Sequence, residues 1–172
     1  MGKSRKAPAE TLFQNHAKAA AAIMEVLRMW GILLALISGI LMSVQGVFNT
    51  EATRQTSLWL VSAFVHLTAF LVCAAAWMAI ERTPVGNLWH IRPWYLLLGG
   101  VIGAFITITV VKAMSGLGPA KAAMLIVTAQ VIAAYLIELF GLFGVTKADF
   151  SWRKLLGAAI AIGGIILFKW EK

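Results

Sequence analysis

The stretch from Gly118 to Gly144, GPAKAAMLIVTAQVIAAYLIELFGLFG, restricts the fold more than any other part of the chain. Its 25 residues from Pro119 to Phe143, at about 1.5 Å of helical rise each, reach about 37 Å against a hydrocarbon thickness of about 30 Å. A segment immersed in lipid must pair its backbone groups within itself, so this one is helical. It also carries a carboxylate, Glu138, set inside an apolar run. Insertion of such a group costs roughly 2.5 to 3.5 kcal/mol at mid-bilayer, which marks it as a candidate for function.

The rest of the chain repeats the pattern. With 60% hydrophobic and 13% charged residues, it falls far from the globular norm of about 25% charged. The expected fold class is all-α, a polytopic membrane bundle of five transmembrane helices at about 30–49, 57–80, 94–113, 119–143 and 152–168. The seven tryptophans, Trp30, Trp59, Trp77, Trp89, Trp94, Trp152 and Trp170, fall at or near proposed span ends, where an interfacial belt belongs. Residues 1–28 read as a polar and amphipathic extension preceding a transmembrane domain at 29–172, with Leu12, Phe13, Ala20, Ile23, Met24 and Leu27 near helical spacing. They lack the pattern of a signal peptide, and a second reading starts translation at Met24.

Taking 100° per residue, the first span is two-faced: Gly31, Ala35, Ser38, Met42, Gln45, Gly46 and Asn49 share one side, opposite Leu33, Leu36, Ile40, Val44 and Val47. Gln45 and Asn49 are expected to point at protein or water, as helix-to-helix glue or as ligands. His66 lies near the middle of the second span and reads as a helix-to-helix hydrogen bond or a pathway group. Gly99 and Gly103 form a GxxxG pair in the third span, and Gly157, Ala161 and Gly164 form a smooth ridge in the fifth, both suited to close helix packing. In the fourth span Ala123, Ala134 and Gly141 lie within about 40° of Gln130, and Glu138 within about 80°. Tyr135 is expected to hydrogen-bond toward Glu138 from one turn earlier. A purely structural reading stands against a functional role for Glu138: five residues before Phe143, toward the cytoplasmic end, it pairs with Arg153, Lys154 or Arg82 at the interface.

Five crossings put the termini on opposite sides. The side holding the N-terminus and the second and fourth loops has ten basic residues, Lys3, Arg5, Lys6, Lys18, Arg28, Arg82, Arg92, Lys147, Arg153 and Lys154, against Arg54, Lys112, Lys121, Lys169 and Lys172 on the other. The N-terminus is therefore expected in the cytoplasm. From Met24 the ratio falls to six against five, which leaves two-way insertion open. The formal charge of +8 is explained by topology rather than by nucleic acid.

The run from LGGVIGA through the fourth span to SWRKLLGAAIAIGGIILF resembles the five-span YdcZ-like branch of the drug/metabolite transporter superfamily over about residues 30–170. Its most specific part is Gln130 followed by Glu138 and the F-G-x-F-G set Phe140, Gly141, Phe143 and Gly144. The family more often has aspartate at the Glu138 position. Gln45 and Asn49 resemble the paired amides of its first span. His66 matches no family motif, and residues 1–28 lie outside the match. The resemblance implies a bacterial inner-membrane protein that pairs in inverted orientation, with itself or with a homologous sister subunit, and exports or exchanges small metabolites or cationic compounds.

The residues and the resemblance lead to one expectation: a secondary transporter subunit in which Glu138 alternates between a proton and a cationic substrate, with Gln130, Tyr135, Gln45 and Asn49 lining the path. The rival class is a non-transporting scaffold or accessory subunit of a larger complex. An enzyme is not expected, because His16, His66 and His90 are scattered and no nucleophile constellation, metal cluster or phosphate loop is present. No cofactor or metal is expected. Cys73, the single cysteine, forms no intrachain disulfide.

Overall fold

The computed structural model describes residues 8–169. Residues 1–7, the polar start of the extension, and residues 170–172, with Trp170 and Lys172, lie outside the described residues. Within them the chain is helical with short irregular connections and no strand: α1 (Pro8–Gln55), α2 (Leu58–Ala76), α3 (Gly99–Leu117), α4 (Pro119–Phe140) and α5 (Trp152–Lys169). A π-helical turn, Trp77–Glu81, prolongs α2, and 3₁₀ turns occupy Val85–His90, Trp94–Leu98 and Leu142–Gly144.

Four helical stretches among the described residues are long and apolar enough to cross a membrane: Gln14–Gln55, Leu58–Glu81, Trp94–Leu117 and Pro119–Phe140. They cover the first four expected spans. Helix α5 is not among them. Arg153 and Lys154 occupy its first turn and leave an apolar run of 14 residues, 155–168, about 21 Å at helical rise. Helix α1 runs unbroken through residue 28, where the sequence suggests the end of a separate extension.

Helix ends follow local chemistry. Ser57 caps α2 by accepting the Leu60 amide at 3.2 Å, a contact of a kind that contributes about 1 kcal/mol. Gly118, at φ 81, breaks the chain after α3, and Pro119 opens α4 at a position where its missing N–H costs nothing. Two helix hydroxyls satisfy themselves on carbonyls one turn back: Thr50 on Gly46, and Thr109 on Phe105 and Ile106.

Contacts divide the chain into Met1–Met42 and Ser43–Lys172. In the first unit every described side chain is exposed. In the second, α2 packs on α3, α3 on α4, and α4 on α5. Its buried apolar set is small, Val111, Met114 and Ala122, and it shares the interior with Asn49, Thr50 and Ser62. Large apolar side chains such as Phe70, Val72, Phe105 and Phe140 face outward instead. That inversion of the soluble pattern is what lipid as solvent permits.

Two glycines govern helix approach in this unit. A Cβ on Gly46 would lie 2.6 Å from Met114 Cε and 2.8 Å from its Sδ, so the bare backbone of α1 there makes the seat for Met114 of α3. A Cβ on Gly103 would meet His66 Nε2 at 3.6 Å. His66 Nδ1 donates to the Ser62 carbonyl at 2.8 Å, within its own helix. The imidazole thus packs on α3 by contact rather than through the interhelical hydrogen bond expected from sequence. The other expected packing positions are open among the described residues: beyond its own stretch of helix, nothing lies within 4 Å of a Cβ on Gly99, Gly157 or Gly164, and Ala161 is exposed.

Candidate functional site

Helix α4 ends because Gly141 turns left-handed, at φ 64, with its amide donating back to the Ile137 and Glu138 carbonyls. Phe143 and Gly144 also take positive φ, 56 and 84. The chain thereby folds back over the last turn of α4, where the Ala148 amide donates to the Glu138 carbonyl at 2.9 Å. The Phe143 ring meets Tyr95 edge-on, with centroids 6.3 Å apart. The F-G-x-F-G segment is therefore a positioning turn that delivers the start of α5 onto α4. This also moves the end of the fourth span from the expected Phe143 to Phe140.

The turn brings together Tyr135, Glu138, Ser151 and Lys154. Lys154 Nζ donates to Glu138 Oε2 at 2.6 Å, with the two side chains half exposed. The same ammonium stands 5.4 Å from the centre of the Tyr135 ring, within cation–π range. The Ser151 amide donates to the Tyr135 hydroxyl at 3.0 Å, and that hydroxyl lies 3.5 Å from the Ser151 carbonyl. Ser151 sits just before α5, and its carbonyl accepts the amides of Lys154 and Leu155.

Helix electrostatics explain why this pair forms. Glu138 is in the last turn of α4, where the helix dipole disfavours an anion, and Lys154 is in the first turn of α5, where it disfavours a cation. Neither helix supplies a compensating charge: α4 has no basic residue in its last turn, and α5 no acidic residue in its first. Each side chain therefore finds its complement across the junction. The result is a half-exposed carboxylate held by a cation of its own chain.

Sequence reasoning named Glu138 and included Lys154 among three candidate partners, and the structure selects Lys154. Tyr135 does lie beside this group, but its hydroxyl engages Ser151 rather than Glu138, because the returning chain presents a helix-start amide that needs an acceptor. Ser151 was missed. Its signal was legible, a serine directly before Trp152 at a helix start.

The remaining expected site residues lie apart from this cluster. Gln130, midway along α4, is exposed, and so is Gln45 of α1. Asn49 is buried, at 8% exposure, one turn beyond Gln45. Near it an open cleft of about 180 Å³ is lined by Val47, Thr50, Glu51, Arg54, Met114, Ser115, Gly118 and Pro119. Glu51 and Arg54 pair at its rim at 3.3 Å. Within the second unit, then, the expected site residues fall in separate places, with Asn49 near the cleft and Tyr135 and Glu138 at the α4–α5 junction.

The turn that builds the junction gives a direct stability test. A Cβ on Gly141 would meet Lys147 Cβ at 3.3 Å and the Val145 carbonyl oxygen at 3.4 Å, in addition to its left-handed φ. Gly141→Ala should lower unfolding free energy in detergent by about 1–2 kcal/mol, read as a lower thermal midpoint. An unchanged midpoint would mean that the turn is not held in this form.

Residues 30–167 match the family model described as "Putative inner membrane exporter, YdcZ". No curated protein and no solved structure matches the chain.

Proposed function

The chain belongs to the YdcZ family of inner membrane exporters, and from that membership we propose that it is a secondary transporter subunit whose Glu138–Lys154 pair is a charge-exchange gate. The observation that carries the proposal is the half-exposed carboxylate held at 2.6 Å by a cation of its own chain. A proton on Glu138 or a cationic substrate beside it displaces the Lys154 ammonium, and loss of the pair frees the start of α5 from α4. Protons and cationic compounds then compete for one carboxylate, which is the minimal chemistry of exchange. Tyr135 offers its ring to the displaced cation, while Gln130, Gln45 and Asn49 supply neutral hydrogen bonds along the path.

The topology proposed with this mechanism has α5 as a fifth crossing, shortened by Arg153 and Lys154 at one interface, and the N-terminus in the cytoplasm beside the ten basic residues of that side. The stretch of α1 before residue 29 serves as an extension ahead of the transmembrane domain. Gln130 and Gln45, exposed in the single chain within apolar helices, favour a second subunit over them, a copy or a sister chain in inverted orientation. The open glycines of α5 support the same arrangement.

Reconstituted protein tests the reading. An imposed pH gradient should drive net movement of a monovalent organic cation such as ethidium across proteoliposomes, with proton flow in the opposite sense. Liposomes that move no cation under any gradient, from protein that co-purifies stoichiometrically with a larger membrane complex, would establish the accessory-subunit alternative instead.

A further inference from the structure

The connection between α2 and α3 is ordered by its own hydrogen bonds yet turns its apolar side chains outward. The Trp77 indole donates to the Thr83 carbonyl at 3.1 Å, and Arg82, at φ 51, donates from Nε to the Met78 carbonyl at 2.8 Å. His90 Nδ1 donates to the Gly86 carbonyl at 3.1 Å. Arg92 donates from Nη1 to the Trp89 and Ile91 carbonyls, both at 3.1 Å. Despite this scaffold Val85 and Leu88 are exposed, and Trp89 and Trp94 are 77% and 65% exposed.

We propose that residues 82–94 form a docking site for anionic phospholipid, in which Arg82 and Arg92 each engage headgroup phosphate and Trp89 and Trp94 sit among the headgroups. The occupant follows from position. The segment joins Leu58–Glu81 to Trp94–Leu117, two stretches able to span the membrane, so it lies at a bilayer surface whichever way the chain inserts. A soluble ligand would leave the outward tryptophans in water, whereas the interface accommodates both their rings and their N–H groups. Charge complementarity selects the lipid. Two guanidiniums stand against one carboxylate, Glu81, over this connection. The hydrogen bonds of Arg82 and Arg92 use Nε and Nη1 respectively, so each retains terminal nitrogens in a fixed plane, the geometry that suits phosphate oxygens. The inference rests on the membrane spans alone and is independent of transport.

The test titrates short-chain phosphatidylglycerol and phosphatidylcholine into the full-length protein in mild detergent, with intrinsic fluorescence and the thermal midpoint as readouts. Phosphatidylglycerol should bind more tightly than phosphatidylcholine, and each of Arg82→Gln and Arg92→Gln should weaken it by about fivefold. Arg153→Gln, outside the connection, should bind as wild type. Quenching by brominated phosphatidylglycerol should fall in Trp89→Phe, which retains both arginines. Equal binding of the two lipids, or unaltered binding in Arg82→Gln/Arg92→Gln, overturns the proposal. Displacement by millimolar inorganic phosphate also overturns it, in favour of a free-phosphate site. If the double variant does not fold, Arg92→Gln with Arg82→Lys decides the same question.

Discussion

Glu138→Gln should reduce proton-driven cation flux in proteoliposomes by about tenfold or more, a barrier increase of at least about 1.4 kcal/mol. The glutamine keeps the size of the side chain and a hydrogen bond to Lys154, but it neither takes up a proton nor carries the charge that attracts a cation. Lys154→Gln should behave oppositely. It removes the competing internal cation, so flux persists and the apparent affinity for an organic cation rises. The contrast between the two variants distinguishes a gate from a strut. If the pair only pinned α5 to α4, both substitutions would lower the thermal midpoint alike and neither would alter the response to pH. Undiminished proton-coupled flux in Glu138→Gln, with equal protein in the membrane, would refute the proposed role.

The second large effect is one of stability. Gly46→Val should destabilise the detergent-solubilised protein by about 1–3 kcal/mol, the range for overfilling a packed contact. The side chain would enter the space held by Met114 Cε and Sδ, and Val110 Cγ1 would lie 3.4 Å from its Cβ. Gly46→Ala should be much milder, because the nearest atoms belong to the flexible end of a methionine that can swing aside. Met114→Ala should rescue part of the loss in Gly46→Val, which a double-mutant cycle would register as a coupling of about 0.5–3 kcal/mol. Full additivity of the two substitutions would show that α1 and α3 do not meet at these residues.

These expectations draw on different amounts of the sequence. The start of α4 was legible to the residue, since Gly118 and Pro119 act through their own backbone dihedrals. Its end was not: the apolar run continues to Phe143, while the helix stops at Phe140 because Gly141 adopts a left-handed conformation in a hydrogen-bonded turn. Helical spacing correctly grouped Gly46 with Asn49, and both are buried. It also grouped Gln45 with them, and Gln45 is exposed. A face is a property of one helix, whereas burial along it depends on where a neighbouring helix begins and ends. GxxxG spacing similarly identified Gly103, which meets His66, and Gly99, which meets no other helix among the described residues.

What the sequence determined by itself was the class of structure. Long apolar runs in lipid must satisfy every backbone group internally, so they are helices, and glycine and proline at their ends set the breaks. It also determined that Glu138 would be the costly group, because the penalty for a carboxylate in an apolar run is a local property. Only the tertiary structure decided what Glu138 does with its charge. Arg82, Arg153 and Lys154 are equivalent cations on paper, and the choice among them depends on three positive-φ residues, Gly141, Phe143 and Gly144, that reverse the chain within a few positions. That reversal brings the first turn of α5 onto the last turn of α4, so that two charges, each opposed by its own helix dipole, meet at 2.6 Å. The Tyr135 hydroxyl was redirected to Ser151 by the same fold-back. Such an outcome depends on the summed rotations of a turn, and no periodicity along the chain contains it.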